Sequence, residues 1–182
     1  SEIGWDLGRS HTASEPGDLS FYNNYLKASW VYDGDSNMRT AAGMASSPFA
    51  GLTFTFGQTY PEDYPDDINP VNGSTVLLTY NTTRGDGSSR IAGVSYDGTF
   101  GSSSTPGKLV YLAFPFETIG SELQRQTMID GVLRSFGLLT DVFAETPGSL
   151  PETWELSQNY PNPFNPGTTF LLSVPFTGLV TV

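Results

Sequence analysis

Three short stretches hold the residue types from which chemistry could be built. In LVYLAFPFETI (Leu109–Ile119) a mostly apolar run reads as a buried strand. Phe114-Pro115-Phe116-Glu117 then breaks out of it just before a helical pattern. A carboxylate just beyond a strand end is a common seat for a catalytic group in α/β enzymes. The competing reading, and the preferred one, makes Glu117 a turn residue that helps cap the next helix, where orphan N–H groups and the dipole favour negative charge. The second stretch, DGDSN, sets Asp33, Asp35 and Asn37 at alternate positions, as a calcium loop begins. Met38 stands where an EF-hand needs glycine, and Met44 where it needs glutamate, so this is not an EF-hand. A second acidic run holds Glu62, Asp63, Asp66 and Asp67, which makes Asp33, Asp35, Asn37, Asp66 and Asp67 the candidate metal ligands. The plainer reading is a solvated acidic loop with turn-forming Asp and Asn. The third stretch carries His11, the single histidine and the one imidazole available as a base. Ser10 is its neighbour and therefore badly placed as a nucleophile, and nothing selects among Asp6, Asp33 and Asp97 as an orienting acid.

Trp5, Trp30, Tyr60 and Tyr64 could line a carbohydrate platform, although aromatic residues in such a chain more often serve a core. No Gly-x-Ser-x-Gly elbow occurs. The glycine-rich RGDGSS lacks the lysine of a phosphate loop, so no nucleotide is expected, nor flavin or haem.

Composition narrows the field further. The chain has 182 residues, 19 Asp+Glu against 8 Lys+Arg, and a net charge of −11. That balance argues against nucleic acid and anionic lipid as partners and leaves divalent cations as candidates. With no cysteine there is no disulfide, thiolate zinc site or cysteine nucleophile. No run approaches the roughly 18 apolar residues of a membrane span. The length suits one medium domain plus a short extra piece, and both ends read as cut from a longer protein.

The elements that would position these residues follow from periodicity. DLSFYNNYLKA spaces Leu19, Tyr22, Tyr25 and Leu26 on one helical face, with Asp18 as cap. Strands are expected at 29–33, 52–56, 75–80, 90–97 and 108–114, with a long loop over 57–73 and a hairpin connection through NTTRGDGSS. Ile119, Leu123, Met128, Ile129, Val132, Leu133 and Phe136 fall on the stripe of a long helix that closes near Gly137. This order predicts an α/β layer with a sheet parallel in part. From Thr140 the chain turns proline-rich, a linker (140–150) into a small β-type segment (151–182).

Two segments carry a resemblance. LPETWELSQNYPNPFNPGTTF, with its aromatic-Pro-Asn-Pro-Phe-Asn-Pro run from Tyr160 to Pro166, resembles the start of immunoglobulin-like C-terminal domains of secreted, Bacteroidetes-type bacterial proteins. Those domains are similar to one in flagellar hook-capping proteins, and related tails serve in export or surface attachment. Residues 1–139, through SEIGWDL, FYNNYLKA and KLVYLAFPFETI, resemble the C-terminal part of a class I glutamine-amidotransferase-like domain. The resemblance implies a partial flavodoxin-like fold with helices on both faces of a mainly parallel sheet. In true amidotransferases the last catalytic strand runs into Phe-His-Pro-Glu; here Ala113 to Glu117 reads AFPFE, without that histidine and without a cysteine anywhere.

The expected function is therefore a noncatalytic module of a secreted or surface protein, with a binding or structural role. The alternatives are a hydrolase of an ester or lactone bond, with calcium as its cation, and a carbohydrate-binding module. A cell-surface or glycan partner and a homodimer through open sheet edges complete the expectations.

Overall fold

A computed structural model describes residues 3–9, 15–138, 153–159, 169, 172–173 and 175. The chain divides into two compact units, Ser1–Thr140 and Asp141–Val182. In the first, a single π-helical turn (Gly4–Gly8) and helix α1 (Asp18–Asn24) precede the strands. These are β1 (Ala28–Asp33), β2 (Thr40–Gly43), β3 (Thr53–Thr55), β4 (Asp66–Pro70), β5 (Thr75–Thr83), β6 (Ser89–Thr99) and β7 (Pro106–Leu112). A 3-10 turn (Phe116–Thr118) and helix α2 (Glu122–Ser135) follow.

The seven strands make one sheet in the order β1-β4-β6-β5-β2-β3, with β7 also paired to β6. Every strand pair among the described residues is antiparallel, so the expected mainly parallel sheet is corrected to a mixed, sheet-rich unit. The reason lies in the connections. A parallel pair needs a crossover of about a dozen residues or more, usually a helix. Between β1 and β7 there is no helix, and β5–β6 turn over Arg84 to Ser88, where Arg84 N donates to Ser88 O at 2.8 Å.

A helix nevertheless packs on each face. Along β7, Leu109 and Tyr111 join a cluster with Tyr22 of α1, while Val110 and Leu112 join one with Met128 of α2. That alternation is the two-residue period of a strand buried on both sides. The helix stripes were wider in expectation than in fact. In α1 only Tyr22 is buried, while Leu19 and Tyr25 stand 44% and 45% exposed. Asp18 opens the helix and accepts from Glu15 N at 2.6 Å, while Gly17 occupies the cap position.

Helix α2 begins at a Ser121 cap, whose Oγ accepts from Gln124 N at 3.3 Å. It ends in a Schellman motif: Gly137 (φ +74°) and Leu138 donate back to Arg134 O and Leu133 O. Lys108 Nζ adds a bond to Ser135 O at 3.0 Å, a cation where the dipole is negative. Close approach to the sheet requires Gly131, since a Cβ there would lie 2.2 Å from Phe49 Cε1. Gln124 also reaches the outer edge of β3: its Oε1 accepts from Thr55 N at 3.1 Å and its Nε2 donates to Thr53 O at 3.2 Å. This side chain satisfies the backbone groups a second copy would otherwise pair with, so the β3 edge is covered.

Two strands were hidden in the sequence. Strand β2 lies in the small-residue link, and β4 lies in the expected 57–73 loop. In the second unit, β8 (Glu155–Leu156) pairs antiparallel with β9 (Leu172–Ser173). The linker at 140–150 and the Tyr160–Pro166 run fall outside the described residues.

Candidate functional site

Strand β7 ends at Leu112, and three residues on Pro115 lacks the backbone donor that could continue it. Pro115 O then accepts from Thr118 N at 3.1 Å and Thr118 Oγ1 at 2.6 Å, which winds the 3-10 turn. The loop after β3 is sewn onto this turn. Gln58 N donates to Thr118 O at 2.9 Å, Gly120 N to Gln58 Oε1 at 3.2 Å, and Thr59 Oγ1 to Glu117 O at 3.0 Å. Glu117 is therefore held in its backbone as well as its side chain. It does not cap α2, a task that Ser121 performs.

These loops, the π-helical turn and the end of β1 enclose a cleft of about 710 Å³. Three carboxylates line it, Asp33, Glu62 and Glu117, beside the polar-tipped aromatic residues Trp5, Tyr60 and Tyr64. Ile3, Leu112, Phe114 and Pro115 supply its apolar surface. Phe114 is buried and stacked on Phe56 at 4.4 Å, which fixes that surface to the core.

The polar rim has a definite electrostatic state. Tyr60 OH donates to Glu117 Oε1 at 2.6 Å. This bond holds the Glu117 carboxyl below the usual carboxylate range, and the same bond pushes the Tyr60 phenol up. Glu62 is nearly buried and its Oε1 accepts from Tyr64 N at 3.3 Å. Arg39 donates to the Glu62 carbonyl and pairs with Asp63 at 3.1 Å, clamping the acidic loop from outside.

Asp66 works from behind the wall. It is fully buried on β4; Gly4 N donates to its Oδ2 at 3.1 Å and Trp30 Nε1 to its Oδ1 at 3.0 Å. The first bond anchors the π-helical turn that carries Trp5, and Trp30 meets Trp5 edge-on at 6.0 Å. A Cβ at Gly4 would sit 2.4 Å from the Asp66 carboxyl carbon, so this contact needs glycine. Tyr80 OH donates to Asp66 O at 3.0 Å, and burial pushes the Tyr80 phenol up, keeping it a neutral donor.

The proposed calcium ligands do not gather. Asp66 and Asp67 are successive residues of a strand, so their side chains leave opposite faces. Asp67 turns to Arg84, which donates to both its oxygens at 2.8 Å, with Arg90 at 3.4 Å and Ile91 N at 3.0 Å. Asp35 Oδ1 accepts from Asn37 N at 2.8 Å, a local turn. Asp33 lies across from Asp66 in the β1–β4 register and faces the cleft. Among the described residues no group of three or more His, Asp or Glu is set to hold a metal ion.

Of the aromatic candidates, Trp5, Tyr60 and Tyr64 meet at the cleft and Trp30 supports it. His11 and Ser10 lie outside the described residues. Asp97 pairs with Lys108 at 3.1 Å on the far end of β6, and Asp6 is exposed on the π-helical turn. The apolar lining and the Gly4–Asp66 bond were missed; a contact between residues this far apart leaves no local pattern. No family model, curated protein or solved structure matches the chain.

Proposed function

We propose that this chain is a noncatalytic binding module of a secreted or cell-surface bacterial protein. Its first unit would be a degenerate, amidotransferase-like remnant of a flavodoxin-like domain, and its second the start of an immunoglobulin-like anchoring domain. The single observation that carries the noncatalytic reading is the Tyr60–Glu117 bond. A general acid or base working near neutrality needs its pKa moved toward 7. Glu117, the residue in the position of the amidotransferase acid, is moved the other way, and as a triad acid it would have no preceding histidine to orient and no cysteine to serve. The AFPFE segment does run between the last strand of the sheet and the longest helix, which supports the resemblance in connectivity. The antiparallel sheet is the feature it does not account for.

The test is a ligand-induced thermal-shift screen run beside an ester and lactone hydrolysis screen, each with calcium and with chelator. Stabilisation by ligands without turnover is the expected result. Turnover abolished by chelation, with the fold intact, would replace this reading with a calcium-dependent hydrolase.

A further inference from the structure

Strands β1, β3 and β7 lie at the margins of the sheet, and the fold does not treat them alike. Gln124 covers the backbone of β3. The pairing of β1 with β4 slips between Trp30 and Tyr32, an irregularity of the kind that blunts an edge. Strand β7 has neither device. It pairs with β6 in an unbroken register, from Thr99–Pro106 to Gly93–Leu112. Among the described residues no strand pairs with its other side. We propose that this open side of β7 is a self-association edge, where a second copy of the chain pairs antiparallel across a two-fold axis.

The ladder decides which groups are on offer. Successive residues of an antiparallel strand send their N–H and C=O to alternate sides. Ala113 N donates to Ala92 O at 2.8 Å just past Gly93–Leu112, which marks that pair as non-hydrogen-bonded. The backbone groups of Leu112, Val110 and Lys108 therefore point away from β6. Pro106 shares their parity, and a residue without an N–H suits a pair that needs none. Among the described residues no hydrogen bond meets those outward groups.

A single register uses them all. With the axis at Val110, this residue pairs with Val110 of the second copy, and Lys108 pairs with Leu112. A slip one way sets Leu112 against Pro106, which has no donor; a slip the other way sets Lys108 against Phe114, beyond the strand end. Charge selects the direction. Lys108 is the one cation on β7, and Glu117 lies just past the strand's other end. Antiparallel pairing brings each Lys108 to its partner's acidic end, whereas parallel pairing would set two lysines side by side. The same register covers Leu109 and Val110, apolar side chains that the helices leave half-buried. A two-fold interface uses each β7 once, so pairing stops at two copies. The inference rests on this backbone geometry, apart from what the cleft binds.

The experiment is sedimentation of the full 182-residue chain over a dilution series, with amide hydrogen exchange at both ends of the series. The expected mass is twice 19.7 kDa when concentrated and falls toward 19.7 kDa on dilution. Over that range the amides of Lys108, Val110 and Leu112 are expected to lose protection about tenfold, while those of Leu109 and Tyr111, bonded to β6, keep theirs. Val110→Pro deletes an outward donor and no β6–β7 bond, so it should abolish the dimer and leave the Leu109 and Tyr111 protection in place. A monomer at every concentration, with the outward amides exchanging freely, would overturn the proposal whether or not the variant folds. A dimer that leaves those amides unprotected would overturn it too, since its interface lies elsewhere. Protection induced in a monomer by a blocked peptide of alternating valine and threonine would overturn the second copy as occupant and give the edge to a foreign strand.

Discussion

Two groups of carboxylates meet opposite fates. Asp66 and Asp67 are fully buried on β4, and their four oxygens are taken by backbone, indole and guanidinium donors. Glu62 stands four residues before β4 and Glu117 five residues after β7, on loops that line the cleft. The difference is one of who supplies the donors. For the β4 pair the protein supplies them all, so those charges bear on stability. At the cleft Glu117 takes a tyrosine proton and Glu62 a backbone N–H, on loops that line open space.

Substitutions that separate the two groups should show it most sharply at Asp67. Asp67→Ala leaves Arg84 and Arg90, largely covered, without their counter-charge. The expected loss is about 3 kcal/mol, or on the order of 10 °C in Tm, read by calorimetry. An unchanged Tm would mean that the buried acids are not structural, and the contrast would fail.

Gly131→Val tests the packing on which both groups depend. It drives a side chain into Phe49, and the expected cost is about 1–3 kcal/mol, visible as a lower denaturant midpoint with the cleft's ligand response retained. Gln124→Ala should cost less, about 1 kcal/mol. Its sharper signature is association: with the β3 edge uncovered, light scattering should detect more self-association than in the parent chain. Tyr60→Phe is the smallest perturbation of the fold and acts only on the cleft. Its expected effect is a rise of the Glu117 carboxyl toward its ordinary value of 4.5, with no change in Tm. The sign is fixed by the direction of the shift. The Tyr60–Glu117 interaction is present while Glu117 is ionised and is lost as pH falls through its depressed pKa.

Legibility in the sequence followed the reach of each interaction. Strands at 75–80, 90–97 and 108–114 and the long helix were visible because their patterns are local, and the structure extends or trims them by a few residues. Strand β4 was not visible. Asp-Asp-Ile-Asn-Pro has the composition of a loop, and it becomes a buried strand through Arg84, Arg90, Gly4 and Trp30, all distant in sequence. The same holds for strand direction, since hydrophobic runs say nothing of parallel or antiparallel pairing; only the connections do. At the cleft, residue type was informative: Trp5, Tyr60, Tyr64, Asp33 and Glu117 were all singled out by kind. What could not be read was that they belong together, because the loops carrying them meet through long-range bonds such as Thr59–Glu117, Gln58–Thr118 and Tyr60–Glu117.

The most direct measurement is a carbon-detected NMR titration of the Glu117 carboxyl in the intact chain. The noncatalytic account predicts a midpoint below 4.5 that rises in Tyr60→Phe. A midpoint raised to about 6–7, the range of a working general acid, would contradict it and return Glu117 to the active site of an enzyme.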